Sequence, residues 1–394
     1  MNETGERGGV SPPVDSSLDR AADAAPLAYG SHGWPCDVQN SKIESNAILP
    51  IDPEKLRRPE SQPSANRIVN SRIESWSSTV LKTILLVTAQ IVFVTALVTA
   101  EEPAAAKPAI NLDERRAFGY LEDICKLGRR PSESKGMTDQ QDLLVAHFKK
   151  LGAESGFQEF VTPHPKTGVP VRMKNLIVSW RPQAKERVLL CCHYDTRPYP
   201  DRDEFRPKGI FLGANDGGSG VALFMEMGHS LPAIKPTFGV DMVFFDGEEF
   251  IFQRDGGKFF LGSEHFAQQY RDRPPPYRYV CGVLVDMIGD KNLKIPIEPN
   301  SRKFAPKVVR SVWDTARTLG IKEFVSKSHP HEINDDHVPL NEIAKIPTAD
   351  LIDFEYPHWH TTKDTPQQCS GASLVKVGRV LLTWLQQVPE DIGR

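Results

Sequence analysis

Residues 240–245 form an apolar run that ends in Asp246-Gly247-Glu248-Glu249, three carboxylates around one glycine. Adjacent glutamates repel, so clustering them is costly unless a cation or a proton offsets the charge. Other ligand-type residues follow the same pattern. His193-Tyr194-Asp195 closes the run 188–192, and Asn215-Asp216-Gly217-Gly218 opens a helical pattern. Asp286 ends 283–285, and Trp359-His360-Thr361 follows 351–352. Each is expected just after a strand, and open α/β sheets bind ligands outside the carboxyl ends of their strands. One edge of one sheet should therefore carry them all.

A catalytic zinc takes nitrogen from His and oxygen from Asp or Glu, with three protein ligands and one open position. Asp216, Glu249 and His360 fit that set. Glu248 neighbours a ligand yet can turn toward the open position, which makes it the candidate general acid/base. The remaining negative charge of Glu248 and Asp286 suits a cationic group such as a free α-amino terminus. Taken singly, each residue has a plainer reading: Asp216 as a helix cap, His360 as a structural histidine, Glu248-Glu249 as a solvated turn. Chance placement of all of them at strand ends is the weaker explanation. A serine-hydrolase elbow is set aside, because Gly217-Gly218-Ser219-Gly220-Val221 lacks the final glycine.

Around these residues the chain alternates. Helical stripes are expected at 112–127, 143–151, 220–231, 263–270, 305–319 and 374–388, and strands at 175–180, 188–192, 240–245, 280–285 and 346–352. That alternation implies an α/β domain with a mostly parallel central sheet and helices on both faces. A length of 394 residues with 39% hydrophobic content buries a full core. The net charge of -3, with no basic cluster interleaved with aromatics, argues against nucleic acid as a partner. Six cysteines without CxxC spacing indicate neither a zinc finger nor a thioredoxin motif.

The first 76 residues show no sustained apolar period and are expected to be disordered. Within the segment 79–100, the stretch 83–100 is apolar and near the lower length limit for a membrane span. Its end, Val98-Thr99-Ala100, resembles a secretory cleavage site, so the segment reads as a signal anchor or a signal peptide. Arg67, Arg72 and Lys82 precede it and Glu101 and Glu102 follow it. The positive-inside bias then leaves the C-terminal part outside the cytoplasm, either membrane-anchored or secreted or periplasmic. A linker is expected over 101–110 and the catalytic domain over 111–394.

The ordered series His193-Tyr194-Asp195, Gly213-Ala214-Asn215-Asp216, Phe244 to Glu249, Gly262-Ser263, Asp286-Met287-Ile288-Gly289, Asp335 to Pro339 and Trp359-His360-Thr361 resembles the clan MH zinc aminopeptidases. Within that clan it is similar to the glutaminyl-peptide cyclotransferases, over residues 112–388. The resemblance implies a phosphorylase/hydrolase-like α/β fold and one zinc on Asp216, Glu249 and His360. It makes Glu248 the proton shuttle, joins Asp286 and Asp335 to it in a relay, and puts Trp359 in the substrate pocket. Two-metal relatives hold a second zinc at the positions of His193 and Asp286 with Asp216 bridging, and both residues are present here. Asp350 stands where animal cyclases carry a pocket histidine, and Val221 where they carry the cysteine that pairs with the one before His193. Asp350 and Asp336 are accordingly candidate substrate-binding residues, Asp336 having the alternative of orienting His337 or a turn. The implied partner is a peptide or protein N-terminus, and the implied reaction converts N-terminal glutamine to pyroglutamate with release of ammonia. Hydrolysis of N-terminal residues is the alternative, and a catalytically inactive interaction domain the second, although no ligand is missing.

Overall fold

The computed structural model describes residues 110–234, 236–252 and 257–393. The expected disordered region, the apolar segment and the linker up to residue 109 lie outside the described residues. Among the described residues, no helix is long and apolar enough to cross a membrane.

The central sheet has six strands in the spatial order β1 (Glu154–Pro163), β2 (Pro170–Trp180), β4 (Gly239–Phe245), β3 (Glu186–His193), β5 (Arg278–Asp286) and β8 (Thr348–Ile352). From β4 to β8 neighbouring strands are parallel, while β1 and β2 join antiparallel. A small separate parallel pair consists of β6 (Ile295–Ile297) and β7 (Phe324–Ser328). The parallel register sets strand ends level: His193 pairs with Phe245, and Asp286 with Ile352.

Strand residues in the parallel part are buried on both faces, so they read as continuous apolar runs rather than as alternations. Val188, Leu190 and Cys192 of β3 and Val240, Met242 and Phe244 of β4 face one core. That core also takes side chains from α1 (Glu114–Lys126), α2 (Lys135–Lys150), α3 (Gly218–Met227), α6 (Pro306–Thr318) and α8 (Gly371–Leu385). Leu189, Cys191, Val243 and Phe245 face a smaller core under α4 (Leu261–Asp272) and α7 (His337–Glu342). A short helix, α5 (Pro299–Phe304), precedes α6. Each fully buried Val, Leu or Phe contributes about 1.5–3 kcal/mol relative to exposure, which fixes the sheet as a platform for its loops.

Beyond the short elements β6, β7, α5 and α7, which the sequence expectation did not include, two departures have identifiable reasons. The second helix begins at Lys135 rather than 143, capped by Ser134, whose side chain accepts from Met137 N. Its buried Gln140 and Gln141 interrupt the apolar stripe, because they donate to the Tyr194 carbonyl (2.7 Å) and hydroxyl (2.9 Å). Strand β1 escaped notice because it is a solvated edge strand in which no residue is fully buried, so it carries no alternating apolar signal.

Candidate active site

The carboxyl ends of β3, β4, β5 and β8 supply the chemistry. Four strands contribute, but Asp216 and His360 depart from the expected rule that each residue follows a strand directly: His360 lies well along the loop after β8, and Asp216 further still from β3. Asp216 sits at the far end of the loop that leaves β3, just before α3. The turn after it requires glycine: Gly217 has φ 76°, and a Cβ there would lie 2.5 Å from the Asp195 carbonyl and 3.0 Å from the His193 ring.

Two carboxylates hold these loops by their backbones. Asp364 accepts from Asn215 N (2.9 Å) and Asp216 N (3.1 Å), and also from the Tyr356 hydroxyl (2.8 Å). Asp195 accepts from Glu248 N (3.1 Å) and Glu249 N (3.0 Å), fixing the acidic turn from beneath. Neither residue was assigned a role from sequence, although both lie in quoted or adjoining motifs.

Two buried three-donor groups result, Asp216–Glu249–His360 and His193–Asp216–Asp286, each with its ligand atoms within 4.8 Å of one another. In the first, His360 Nε2 lies 2.5 Å from Glu249 Oε1 and 3.5 Å from Asp216 Oδ2. In the second, His193 Nε2 lies 3.3 Å from Asp216 Oδ1 and 3.2 Å from Asp286 Oδ1. Tetrahedral zinc with bonds of about 2.0–2.2 Å separates its ligand atoms by roughly 3.3–3.6 Å, close to the spacing of His360 and Asp216 and wider than the 2.5 Å between His360 and Glu249, which an ion between them would have to part. Asp216 Oδ2 is buried with no hydrogen-bond partner among the described residues, as befits an atom reserved for a cation, while His360 Nε2 is held by its ion-pair contact with Glu249 Oε1.

Outside the ligand atoms, His360 Nδ1 faces Asp201 Oδ1 at 3.4 Å, and Asp201 is paired with Arg197 (2.8 Å). Arg197 also binds Glu249, through its backbone N (3.0 Å) and its guanidinium (3.5 Å). Sequence reasoning missed Arg197 and Asp201, which sit in a Pro-containing loop with no motif of their own. Such partners orient a ligand and tune its basicity. His360, Met287 and Phe260 all have positive φ (54°, 49° and 60°) and all line the same cavity. Backbone strain of this kind concentrates at functional sites.

Without metal, the electrostatics of the cluster are polarised. Burial depresses the His360 imidazole, but Glu249, Asp201 and Asp216 outweigh it and bring its pKa up to about 9. Burial works to raise Glu249, yet His360 and Arg197 pull it down to about 2. Burial and the neighbouring Glu249 lift Asp216 to about 6. Glu248 is pushed well above the carboxylate range by burial, against the pull of His193 and with the help of Glu249, Asp335 and Asp336. Asp335 rises well above that range through burial and the charges of Asp286 and Asp336.

The cavity over the cluster has a volume of about 300 Å³. Glu248, Asp286 and Asp335 face it, and Phe259, Phe260, Phe354 and Trp359 form its aromatic walls. Asp336 and Asp350 lie outside this lining. Asp336 accepts from the Ser263 hydroxyl (2.5 Å) and donates its N–H to Asp335 Oδ1 (2.6 Å), so it supports Asp335 from behind. On β8, Ala349 and Leu351 face the larger core, which turns Asp350 to the opposite face. There it is fully buried, 3.8 Å from His337 Nδ1, while His337 Nε2 lies 3.2 Å from Glu298 Oε2. Cys192 is free and packs beside α3, the helix that carries Val221.

A mostly parallel sheet that gathers carboxylates and histidines at its strand ends defines a zinc-exopeptidase-like α/β protein. The chain belongs to peptidase family M28, whose model matches residues 175–385. It is similar to the glutaminyl cyclase of Fimbriiglobus ruber, at 40% identity and TM-score 0.68 over 73% of this chain and 99% of that one. It is also similar to a leucine aminopeptidase precursor from Bacteroides thetaiotaomicron, at 29% identity and TM-score 0.66 over 71% of this chain and 100% of that one. The glutaminyl-peptide cyclotransferase of Bos taurus is 25% identical over 241 residues, 52% of this chain. That match spans 64% of the bovine protein, less than two thirds of its length. The family resemblance read from the separated motifs therefore holds.

Proposed function

We propose that the protein is a zinc-dependent glutaminyl-peptide cyclotransferase, which converts the N-terminal glutamine of peptides to pyroglutamate with release of ammonia. The observation that carries this reading is that one aromatic cavity holds both a three-donor cluster and three further acids, Glu248, Asp286 and Asp335. The 40% identity to a glutaminyl cyclase across nearly that whole chain supports cyclisation over hydrolysis.

Asp216, Glu249 and His360 would hold the zinc, which when bound supplies Lewis-acid polarisation of the glutamine side-chain carbonyl. Asp286 and Asp335 attract the α-amino group and orient it toward that carbonyl carbon. As the α-nitrogen bonds to the carbon, Glu248 takes one of its protons. Glu248 then gives that proton to the amide nitrogen as the carbon–nitrogen bond breaks, and ammonia leaves. Burial among carboxylates gives Glu248 the high proton affinity that a shuttle needs. Trp359 and Phe354 exclude water, which would otherwise compete with the amine.

Aminopeptidase hydrolysis is the second reading, favoured by the preformed His193–Asp216–Asp286 group. Zinc analysis of purified protein, with ammonia release from a glutamine-initiated peptide and amino-acid release from a leucine-initiated one, separates the two. One zinc with ammonia release is expected. Two zinc ions per chain with leucine release and no pyroglutamate overturn the cyclase reading.

The proposed location is membrane-anchored or exported, with the catalytic domain outside the cytoplasm, supported by the charge asymmetry around residues 83–100. Full-length protein that stays soluble in the cytoplasm and protected from surface protease refutes it.

A further inference from the structure

We propose that Arg202 selects the second residue of the substrate, favouring an acidic side chain there; this rests on the reading that a peptide N-terminus enters the cavity. Arg202 lies on the exposed part of the loop that leaves β3, yet its position is fixed. Its backbone N donates to the His360 carbonyl (3.1 Å). The next residue, Asp203, accepts from Thr362 N (3.0 Å) and the Thr362 hydroxyl (2.5 Å) with one oxygen, and from Phe205 N and Arg206 N with the other. The loop is thereby stitched to the segment that carries Trp359 and His360.

The Arg202 guanidinium carbon stands 4.1 Å from the centroid of the Trp359 ring. Trp359 lines the cavity, where it packs against Phe354 (4.8 Å) and His360 (4.2 Å), whereas Arg202 is exposed and outside the lining. The cation therefore sits on the rim, stacked on the wall. Of the neighbouring arginines, Arg197 is committed to Asp201 and Glu249, while Arg206 donates to the Thr362 hydroxyl; Arg202 is the cation stacked on the Trp359 ring. Among the described residues no carboxylate pairs with the Arg202 guanidinium, so its donors face solvent. A stacked guanidinium is pre-organised, and less of its rotamer freedom is lost when it binds a carboxylate.

The charge pattern has a direction. Glu248, Asp286 and Asp335 inside the cavity attract the substrate's α-amino group, and the Arg202 cation stacked on the Trp359 wall meets what emerges. An extended chain advances about 3.3–3.6 Å per residue, so the second residue is the first to reach the edge of Trp359.

The test measures kcat/KM of the zinc-loaded enzyme for three amidated peptides, Gln-Glu-Ala, Gln-Ala-Ala and Gln-Lys-Ala, in the natural protein, Arg202→Gln and Arg202→Glu. An exposed ion pair changes affinity about 1.4- to 5-fold. Attraction of Glu combined with repulsion of Lys therefore sets a Glu-to-Lys ratio of roughly 2- to 30-fold in the natural protein. That ratio falls to within about twofold in Arg202→Gln and inverts in Arg202→Glu. Because each ratio is taken within one protein, the fraction folded cancels. A flat ratio in the natural protein, or one unchanged by Arg202→Glu, overturns the proposal. Calorimetric binding of the unreactive peptides Ala-Glu-Ala and Ala-Lys-Ala repeats the comparison without chemistry. Charge-dependent binding without glutamine turnover rejects the cyclase reading and leaves Arg202 in place; turnover with charge-blind binding rejects Arg202.

Discussion

Replacing Glu248 with glutamine keeps the side chain's shape and removes its ability to carry a proton. The backbone of the turn is held by Asp195 through Glu248 N and Glu249 N, so the substitution leaves the loop in place. Glu248 belongs to neither three-donor group, and its Oε2 stands 3.9 Å from His193 Nδ1. Metal content should therefore stay unchanged. Because burial, with Glu249, Asp335 and Asp336, already disfavours a charge at this position, a neutral glutamine suits it, and thermal stability should hold or rise. A positioned acid/base contributes about 10²- to 10⁴-fold, so kcat should fall by that factor, equivalent to roughly 2.7–5.5 kcal/mol of transition-state stabilisation. Glu249→Gln makes the contrast: it removes the negative charge and replaces one of the two oxygens that face Arg197 and His360 with an amide nitrogen, so zinc should be lost to a chelator at concentrations the natural protein withstands. The assay is continuous ammonia release from a glutamine-initiated peptide, with zinc measured by mass spectrometry after dialysis. Equal zinc retention with equal loss of activity in both variants would refute the division of roles, as would Glu248→Gln keeping more than about a tenth of the activity.

Asp201→Asn should weaken zinc affinity about 10- to 100-fold by releasing His360 Nδ1, checked by competition with a chromogenic chelator; unchanged affinity removes Asp201 from the orienting role. Zinc binding at pH 7.5 should expel a proton, because Glu249, Asp201 and Asp216 outweigh burial and hold metal-free His360 at about 9 while a ligand imidazole must be neutral. Calorimetric enthalpies that do not vary with buffer ionisation enthalpy would contradict this. The same raised pKa lends the metal-free fold stability that is full below the unfolded value of about 6.5 and is lost as pH rises through about 9. Phe244→Ala should cost about 3–5 kcal/mol in urea unfolding, since the ring is fully buried against Phe148, Tyr194 and Phe224 at the end of the strand that carries the acidic turn.

Much of the architecture was legible because parallel strands buried on both faces are continuous apolar runs of the right length, as 240–245 and 280–285 show. What hid from sequence reading was structure stabilised by long-range partners. The solvated hairpin strand β1 needs only β2 beside it, and the first turns of α2 bury glutamines that make sense only against Tyr194.

The sequence by itself determined which residue types stand at the loop positions and in what order: His193, Asp216, Glu248, Glu249, Asp286 and His360, the first five at an apolar run or a glycine turn. Their convergence is a tertiary fact. Asp216 and His360 are far apart in the chain, and only the β4–β3–β5–β8 order with level strand ends brings their donor atoms within 3.5 Å. Tertiary structure also decided that Asp350 faces His337 and lies outside the cavity lining. A strand side chain points to one of two faces, and the packing of Ala349 and Leu351 into the larger core leaves Asp350 only the other. It decided likewise which carboxylates gather in the three-donor groups and which, like Asp195, Asp201 and Asp364, hold a neighbouring imidazole or loop in place. Their chemistry is identical, and only the distance to a backbone N–H or an imidazole distinguishes them.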